Sequence, residues 1–196
     1  MKKLFGLLVL ITSFMSAPAS AQGLDVSKFD PQNLLIMDVD YVTGQGQVVI
    51  MLKPGLAPNH VARIKELTRQ GFYNGIIFHR VIEGFMAQTG DPKGDGTGGS
   101  GQNLEPEFNR MPHMRGTLSM ARGDADDSAD SQFFICYNRN PGLDDKYTVW
   151  GRVIKGMDVV DMIPLGVPAP KPGKIITMRI ASDIQDWVTT YTATKE

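Results

Sequence analysis

The sequence predicts one mostly-β domain, built as a barrel capped by two helices. Many short runs have the alternating or apolar character of strands, and two segments have helical spacing. In addition, 21 glycines are spread along the chain and supply turns between short strands. No internal repeat or low-complexity linker divides the 196 residues, which is the length of a single domain.

The chain begins with a predicted secretory signal. Lys2 and Lys3 precede an apolar stretch over 4–15, and the small residues Ala19-Ser20-Ala21 follow it. This stretch is shorter than the roughly 20 residues that a membrane-spanning helix needs, and no cysteine stands near the cleavage site for a lipid anchor. We therefore expect 1–21 to be removed, and the mature protein to be periplasmic without membrane insertion.

A short polar leader, 22–33, is followed by the predicted domain, 34–181. LLIMDVDYV and GQVVIML are predicted as two strands joined by a turn at 43–46. The next segment, APNHVARIKELTRQGF, predicts a helix, because Val61, Ile64 and Leu67 recur at helical spacing. A glycine after the last turn is a typical helix stop.

The remaining strands and the second helix follow in order. KGMDVVDMI predicts a short helix with Met157, Val160 and Ile163 on one stripe. The C-terminal extension, 182–196, is compatible with packing at a sheet edge or with trailing away, and its pattern leaves both open. The further strand-like runs are 75–82, 84–88, 116–120, 132–136, 147–153 and 174–181.

Composition excludes several classes of protein. With 20 basic and 21 acidic residues, the chain lacks the basic surface of a nucleic-acid or membrane-binding protein. Cys136 is the single cysteine, so no internal disulfide forms, and its apolar context, QFFIC, predicts a buried core residue rather than a nucleophile. Three histidines without zinc spacing, and no Ser-His-Asp pattern, give a nucleophile-based hydrolase little support.

Three loops suggest ligands, but each has a simpler interpretation. DPKGDGTGGSGQN lacks both the Gly-Lys-Ser/Thr and the following helix of a phosphate loop, so we interpret it as a mobile surface loop. RGDADDSADSQ lacks the glycine and the distal glutamate of an EF-hand calcium loop. Met111, His113 and Met114 form a conceivable copper(I) site, but no further Met/His cluster supports it. We expect neither a metal nor a cofactor.

FHRVIEGFMAQTGDP, starting at residue 78, carries a permanent charge within an apolar run. In a strand, Phe78 and Arg80 point to one side, and His79 and Val81 to the other. Arg80 then either stands over an apolar surface or pairs with a carboxylate at the core edge and reaches water. The fragment alone leaves both interpretations open. Residues after the Ile82-Glu83-Gly84 bend would continue the patch, namely Phe85, Met86 and Gln88.

Five blocks, in order, carry a resemblance to a known family. FHRVIEGFMAQTGDP, GTGGSG, GTLSMAR, SQFFI and LDDKYTVWGRVIKGMDVV are similar to the cyclophilin-type peptidyl-prolyl cis-trans isomerases, of a bacterial exported type. The resemblance covers roughly Leu34 to Ala181. It implies a closed eight-stranded antiparallel β-barrel capped by two α-helices, with a substrate groove on the outside of the barrel.

The resemblance also implies the site residues. By motif position, Arg80 is the catalytic residue. The substrate-binding residues that it implies are Phe85, Met86, Gln88, Ala121, Arg122, Gln132, Phe134, Leu143 and Tyr147.

Three positions depart from residues common in the family. Gly142 stands where many eukaryotic members carry tryptophan, Tyr147 replaces a common histidine, and Arg122 replaces a common asparagine. Binding of the inhibitor cyclosporin depends on that tryptophan in the family, so we expect weak sensitivity.

The expected function is acceleration of X-Pro bond rotation in exported proteins, which assists their folding. The expected partners are proline-containing segments of these polypeptides, with no nucleic acid, and we expect a monomer. A binding module whose isomerase activity is incidental would use the same groove, so it remains an alternative. A calcium- or copper-binding envelope protein is a third hypothesis, resting only on the loops above.

Overall fold

The computed structural model describes residues 28–186 and contains eight strands and two α-helices. The predicted signal, 1–21, lies outside the described residues, as do the first part of the leader and 187–196. Strands and helices follow in the order β1 (Leu34–Asp40), β2 (Gln45–Leu52), α1 (Pro58–Arg69), β3 (Arg80–Ile82), β4 (Met86–Thr89), β5 (Thr117–Met120), β6 (Phe133–Cys136), β7 (Val149–Lys155), α2 (Met157–Asp161) and β8 (Lys174–Ile180).

All eight strands form one antiparallel sheet, in the order β3-β4-β6-β5-β7-β2-β1-β8. The prediction of a mostly-β fold with eight antiparallel strands and two helices is confirmed. The sheet curves around the main core, where aromatic rings meet edge to face: Phe133 lies 5.6 Å from Tyr73 and 5.3 Å from Trp150, between ring centroids. All three side chains are fully buried.

The predicted closure of the barrel is wrong, because β3 and β8 are the two open edges of the sheet. The free edge of β3 is occupied by Gly166, which exchanges two backbone hydrogen bonds with Val81, of 2.8 and 3.0 Å. The chain just before β3 meets β8 through the isolated bridge between Ile77 and Lys174 and a hydrogen bond of 2.7 Å from the Gly75 amide to the Ile175 carbonyl, without a continuous ladder. The loop that contains Gly166 therefore pairs with the edge of β3 that a neighbouring strand would occupy in a closed barrel.

The strand predicted over 75–82 is much shorter, and this changes where Phe78 points. Regular pairing begins only at Arg80, and the Phe78 amide instead donates to the Gly173 carbonyl at 2.8 Å. Phe78 is fully buried in the main core together with Val81, so the prediction that it shares the side of Arg80 is wrong. Period-two alternation holds only where the backbone is a strand.

Both predicted helices are present, and α1 buries the predicted stripe of Val61, Ile64 and Leu67. The chain turns out of α1 at Gly71, whose φ of +70° is a left-handed conformation that glycine adopts easily. Helix α2 is shorter than predicted, and Val160 is its buried residue.

The N-terminus of α1 is capped by a distant side chain. Ala57, at the N-cap, has no side-chain acceptor. Instead, Glu107 accepts hydrogen bonds from the amides of Asn59 at 3.0 Å and His60 at 2.9 Å, and from His60 Nδ1 at 2.6 Å. A negative carboxylate at this end of a helix also complements the helix dipole.

The described parts of the two terminal segments cover the outer face of the sheet. Phe29 and Ile184 pack against a small cluster built on Leu34, Ile36 and Val49. The C-terminal extension thus begins by packing, through a short 3-10 helix at Ala181–Asp183. Within 28–186, no helix is long and apolar enough to cross a membrane.

All three histidines are buried: His60 and His113 are 0% exposed, and His79 is 4% exposed. Burial lowers the pKa of each imidazole, because the charged form loses its hydration. Glu107 beside His60 and Asp144 beside His113 oppose this effect but do not reverse it.

We therefore expect stability to fall as the pH drops below the unfolded histidine pKa of about 6.5. Above that pH the imidazoles are neutral in both states. Below it, the unfolded chain binds protons that the folded chain does not, at up to about 1.4 kcal/mol per pH unit for each histidine. Urea unfolding between about pH 7.5 and 5.5 measures the slope, which should decrease in His79→Gln. A free energy of unfolding that stays constant over this range would contradict the prediction.

Candidate active site

A row of polar and aromatic side chains crosses the outer face of the sheet. In the strand register, Arg80 lies opposite Gln88, and Gln88 lies opposite Phe134. Residues directly opposite in antiparallel strands face the same side. Their strand neighbours Val81 and Ala87 belong to the main core on the inner face. Strand alternation therefore places the row outside the core.

Strand β6 explains why the sequence here is continuously apolar. All four of its residues are buried, but on two faces. Phe133 and Ile135 enter the main core, whereas Phe134 and Cys136 join Met86 in a second apolar cluster on the outer face. A sheet that is apolar on both faces at this point supports both a core and a surface pocket.

The guanidinium of Arg80 lies against this second cluster. Its Nη1 donates to Gln88 Oε1 at 3.2 Å and lies 3.7 Å from Met86 Sδ, and Cζ is 5.8 Å from the ring centroid of Phe85. Among residues 28–186, no carboxylate forms an ion pair with it. Of the two interpretations, the structure therefore has Arg80 standing over an apolar surface.

A directed chain of hydrogen bonds runs from Arg80 to the glycine-rich loop. Gln88 Nε2 donates to Gln132 Oε1 at 3.0 Å, and Gln132 Nε2 donates to the carbonyls of Gly96 at 3.0 Å and Gly98 at 2.8 Å. Because arginine only donates, both amide orientations follow from its position.

Carboxylates accept hydrogen bonds from the backbone of the glycine-rich loop, which the sequence predicts to be a mobile surface loop. Asp91 accepts amide hydrogen bonds from Lys93 at 2.8 Å and Gly96 at 2.6 Å, and Asp130 accepts one from Gly101 at 2.8 Å. Gly98 passes so close to Asp91 that a Cβ atom would collide with the carboxylate. The carboxylates serve the loop backbone here, and no group of three His, Cys, Asp or Glu residues able to hold a metal occurs within 28–186.

Nine of the ten predicted site residues line one cavity of about 170 Å³. Gln132 lies beside it and lines an adjoining cavity of about 560 Å³ formed largely by the glycine-rich loop. Gln88, Ala121 and Arg122 line both cavities. The residues around the smaller cavity are Arg80, Phe85, Met86, Gln88, Ala121, Arg122, Phe134, Leu143 and Tyr147.

Cys136 lies beneath this cavity and is fully buried. Burial raises the pKa of its thiol to about 12, so the nucleophilic thiolate is suppressed. The structure thus places Cys136 in an apolar cluster, as the sequence predicts.

Sequence reasoning missed the support behind Phe134. The ring of His113 stacks on Phe134 at 6.1 Å between centroids, and its nitrogens contact Asp144 Oδ1 and Ser119 Oγ, both at 3.0 Å. Arg139 and the His113 amide and ring donate to Asp144 and lower the pKa of its carboxyl. The sequence alone does not show these contacts of His113, because Asp144 and Phe134 lie far from it along the chain.

This arrangement combines a fixed cation, an apolar cavity and a polar wall. It can seat a compact apolar ring and donate hydrogen bonds to a polar group beside that ring. Such a site favours a reaction that proceeds by conformational change of a bound chain.

Comparisons with known proteins agree with this chemistry. The family model for cyclophilin type peptidyl-prolyl cis-trans isomerases matches residues 37–181. A probable peptidyl-prolyl cis-trans isomerase of Brucella suis is 47% identical over 174 residues, which cover 80% of this chain and 87% of that protein. A peptidyl-prolyl cis-trans isomerase of Synechococcus elongatus is 46% identical over 110 residues, covering 56% and 75% of the two chains.

Solved structures show the same fold. A cyclophilin from Hirschia baltica superposes with a TM-score of 0.73 at 30% identity, covering 80% of this chain and 77% of that chain. A cyclophilin type isomerase of Cryptosporidium parvum, solved in the presence of the dipeptide Ala-Pro, gives 0.67 at 28% identity, covering 75% and 98%. The chain therefore belongs to the cyclophilin family and is a peptidyl-prolyl cis-trans isomerase.

Proposed function

We propose that this isomerase acts on X-Pro bonds of exported proteins in the periplasm and so assists their folding, with Arg80 as the catalytic residue. The observation that carries the catalytic assignment is the position of the Arg80 guanidinium at the rim of an apolar cavity, oriented by Gln88. The N-terminal pattern, 1–21, supports the cellular location.

The reaction needs a large rate increase but no covalent step. Rotation about X-Pro has a barrier of about 18–20 kcal/mol, because the nitrogen lone pair is delocalised into the carbonyl. Uncatalysed exchange takes roughly 10–100 s. Exchange in milliseconds requires about five decades, or about 7 kcal/mol of transition-state stabilisation.

Arg80 supplies the part of this stabilisation that distinguishes the transition state. When the bond twists, the proline nitrogen pyramidalises and its lone pair becomes a hydrogen-bond acceptor. The hydrogen bonds to Gln88 and Met86 both involve Nη1, so they do not engage Nε or Nη2. A donor that is used only in the twisted state lowers the barrier rather than only tightening binding.

One charge-assisted hydrogen bond contributes only about 1.5–3 kcal/mol, so the cavity must contribute the rest. Met86, Phe134 and Leu143 form an apolar seat for the proline ring. They hold the ring and exclude water, which otherwise stabilises the more polar planar amide. Preorganisation of this kind is the larger component of many enzymatic rate increases.

Replacing Arg80 tests the catalytic assignment. We expect Arg80→Lys to lower kcat about 10- to 150-fold, because lysine keeps the charge but not the planar, weakly hydrated donor. Arg80→Ala should lose at least as much while still binding peptide. NMR exchange spectroscopy on a short peptide containing Ala-Pro measures the rate, and shift titration of the same peptide measures binding.

Arg179→Ala is the matched control, because this arginine lies on β8 and pairs with Asp38 at 2.8 Å, away from the groove. It should keep wild-type activity. A fully active Arg80→Lys variant would refute the role of Arg80. Wild-type protein that binds the peptide without speeding exchange would instead favour the binding-module alternative.

Export has its own test. The full chain, expressed in a bacterium with an outer membrane, should appear in the periplasmic fraction with Gln22 as its N-terminal residue. Leu8→Arg should block processing, because a charge interrupts the apolar stretch. Unprocessed wild-type chain confined to the cytoplasm would exclude a periplasmic role.

Cyclosporin should inhibit this enzyme only weakly. Gly142 is exposed, and apart from its chain neighbours no residue lies within 4 Å of the position that a Cβ would take, so no ring fills this position. Gly142→Trp should tighten inhibition about tenfold or more by adding apolar contact. Gly55→Trp, at another exposed and unobstructed glycine, should change nothing. Nanomolar inhibition of the wild-type enzyme would contradict this expectation.

A further inference from the structure

Two of the positions that depart from common family residues are in contact. The Cζ atom of Arg122 lies 5.0 Å from the ring centroid of Tyr147, over its face. Tyr147 in turn meets Phe134 edge to face, at 5.8 Å between centroids. Arg122 thus connects through one ring to the wall of the proposed proline seat.

The guanidinium of Arg122 is held on several sides. It donates to the carbonyls of Gly123 at 2.9 Å and Asp124 at 3.2 Å, and its Nη2 lies 3.0 Å from an Asp126 carboxylate oxygen. It also donates to the Lys146 carbonyl, from Nε at 3.4 Å and Nη2 at 3.3 Å. The side chain is only 15% exposed.

These bonds join two loops that are distant in sequence. One loop follows β5 and contains Gly123 and Asp124, while the other precedes β7 and contains Lys146. Because Nε, Nη1 and Nη2 all donate to these partners, the guanidinium is engaged in the protein rather than presented to a substrate carboxylate. Its second ring contact, with Phe108 at 5.8 Å, lies on a half-exposed ring that lines neither cavity.

We propose that Arg122 is a positioning residue matched to Tyr147. The guanidinium holds the Tyr147 ring by a cation–π contact, and the ring in turn holds Phe134 in its place within the proline seat. Asparagine and histidine, the common family pair, would lack this contact. The proposal rests on the proposed function of the groove, since it explains how one wall of that groove is kept in place.

A double-mutant cycle tests the match. Arg122→Asn and Tyr147→His should each lower kcat/KM about 3- to 30-fold, mainly through weaker peptide binding and a higher KM. The double variant should lose no more than the worse single variant, because both changes remove one shared contact. Peptide binding and exchange are measured by NMR on the Ala-Pro peptide.

Two further variants separate positioning from general structural support. Tyr147→Phe keeps the ring face, so its KM should lie closer to the wild-type value than the KM of Tyr147→His. Phe108→Leu removes the other ring beside the same guanidinium and should leave KM unchanged. The ring resonances of Phe134 should shift in Arg122→Asn and Tyr147→His, but not in Phe108→Leu.

Losses that multiply in the double variant would overturn the proposal, as would single variants that unfold more readily while the folded protein keeps its KM. Arg80→Ala, measured alongside, keeps the two questions apart. If Arg80→Ala were fully active, the catalytic assignment would fail, whereas the coupling between Arg122 and Tyr147 in peptide binding would still be measured.

Discussion

The groove depends on the fact that a guanidinium donates hydrogen bonds and cannot accept them. Placing Arg80 opposite Gln88 forces the amide oxygen of Gln88 toward the arginine and its nitrogen toward Gln132. Gln132 is oriented in the same way and ends the chain on carbonyls of the glycine-rich loop. One cation therefore orders both amides, and through them it links β3, β4 and the residue before β6 to the glycine-rich loop.

The Arg80 guanidinium lies at a part of the sheet that is apolar on both faces. On the inner face the side chains form the core of the domain, and on the outer face Met86, Phe134 and Cys136 form a smaller cluster. Burial stabilises both clusters, and the outer one also lines the cavity of the candidate site. Stability and the proposed substrate binding thus use alternate residues of the same short strands.

Much of this could be predicted from the sequence, for identifiable reasons. The buried stripe of α1 is a local pattern, so periodicity finds it, whereas the continuous apolar run of β6 indicates a buried strand but not the division of its residues between two faces. The groove residues came from ordered family motifs, and the structure brings nine of them to one cavity. Their proposed roles rest on chemistry that the motifs alone do not contain.

What could not be predicted depends on contacts between distant segments. Phe78 points into the core because its amide donates a hydrogen bond to the Gly173 carbonyl. The sheet stays open because Gly166 forms backbone hydrogen bonds with the free edge of β3. Nothing in the sequence around either glycine indicates which residue it pairs with. The contact between Arg122 and Tyr147 is of the same kind, since each residue alone is only a departure from a family pattern.

The distant cap on α1 has a consequence for how the chain acquires its structure. The residue that satisfies the first turn of this helix is 47 to 48 positions later in the chain. During synthesis from the N-terminus, the helix is complete well before Glu107 has been added. Its first amides then rely on water until the loop closes, and closing so large a loop has an entropic cost. The helix start is therefore among the parts of the domain that are finished late, although its sequence appears early.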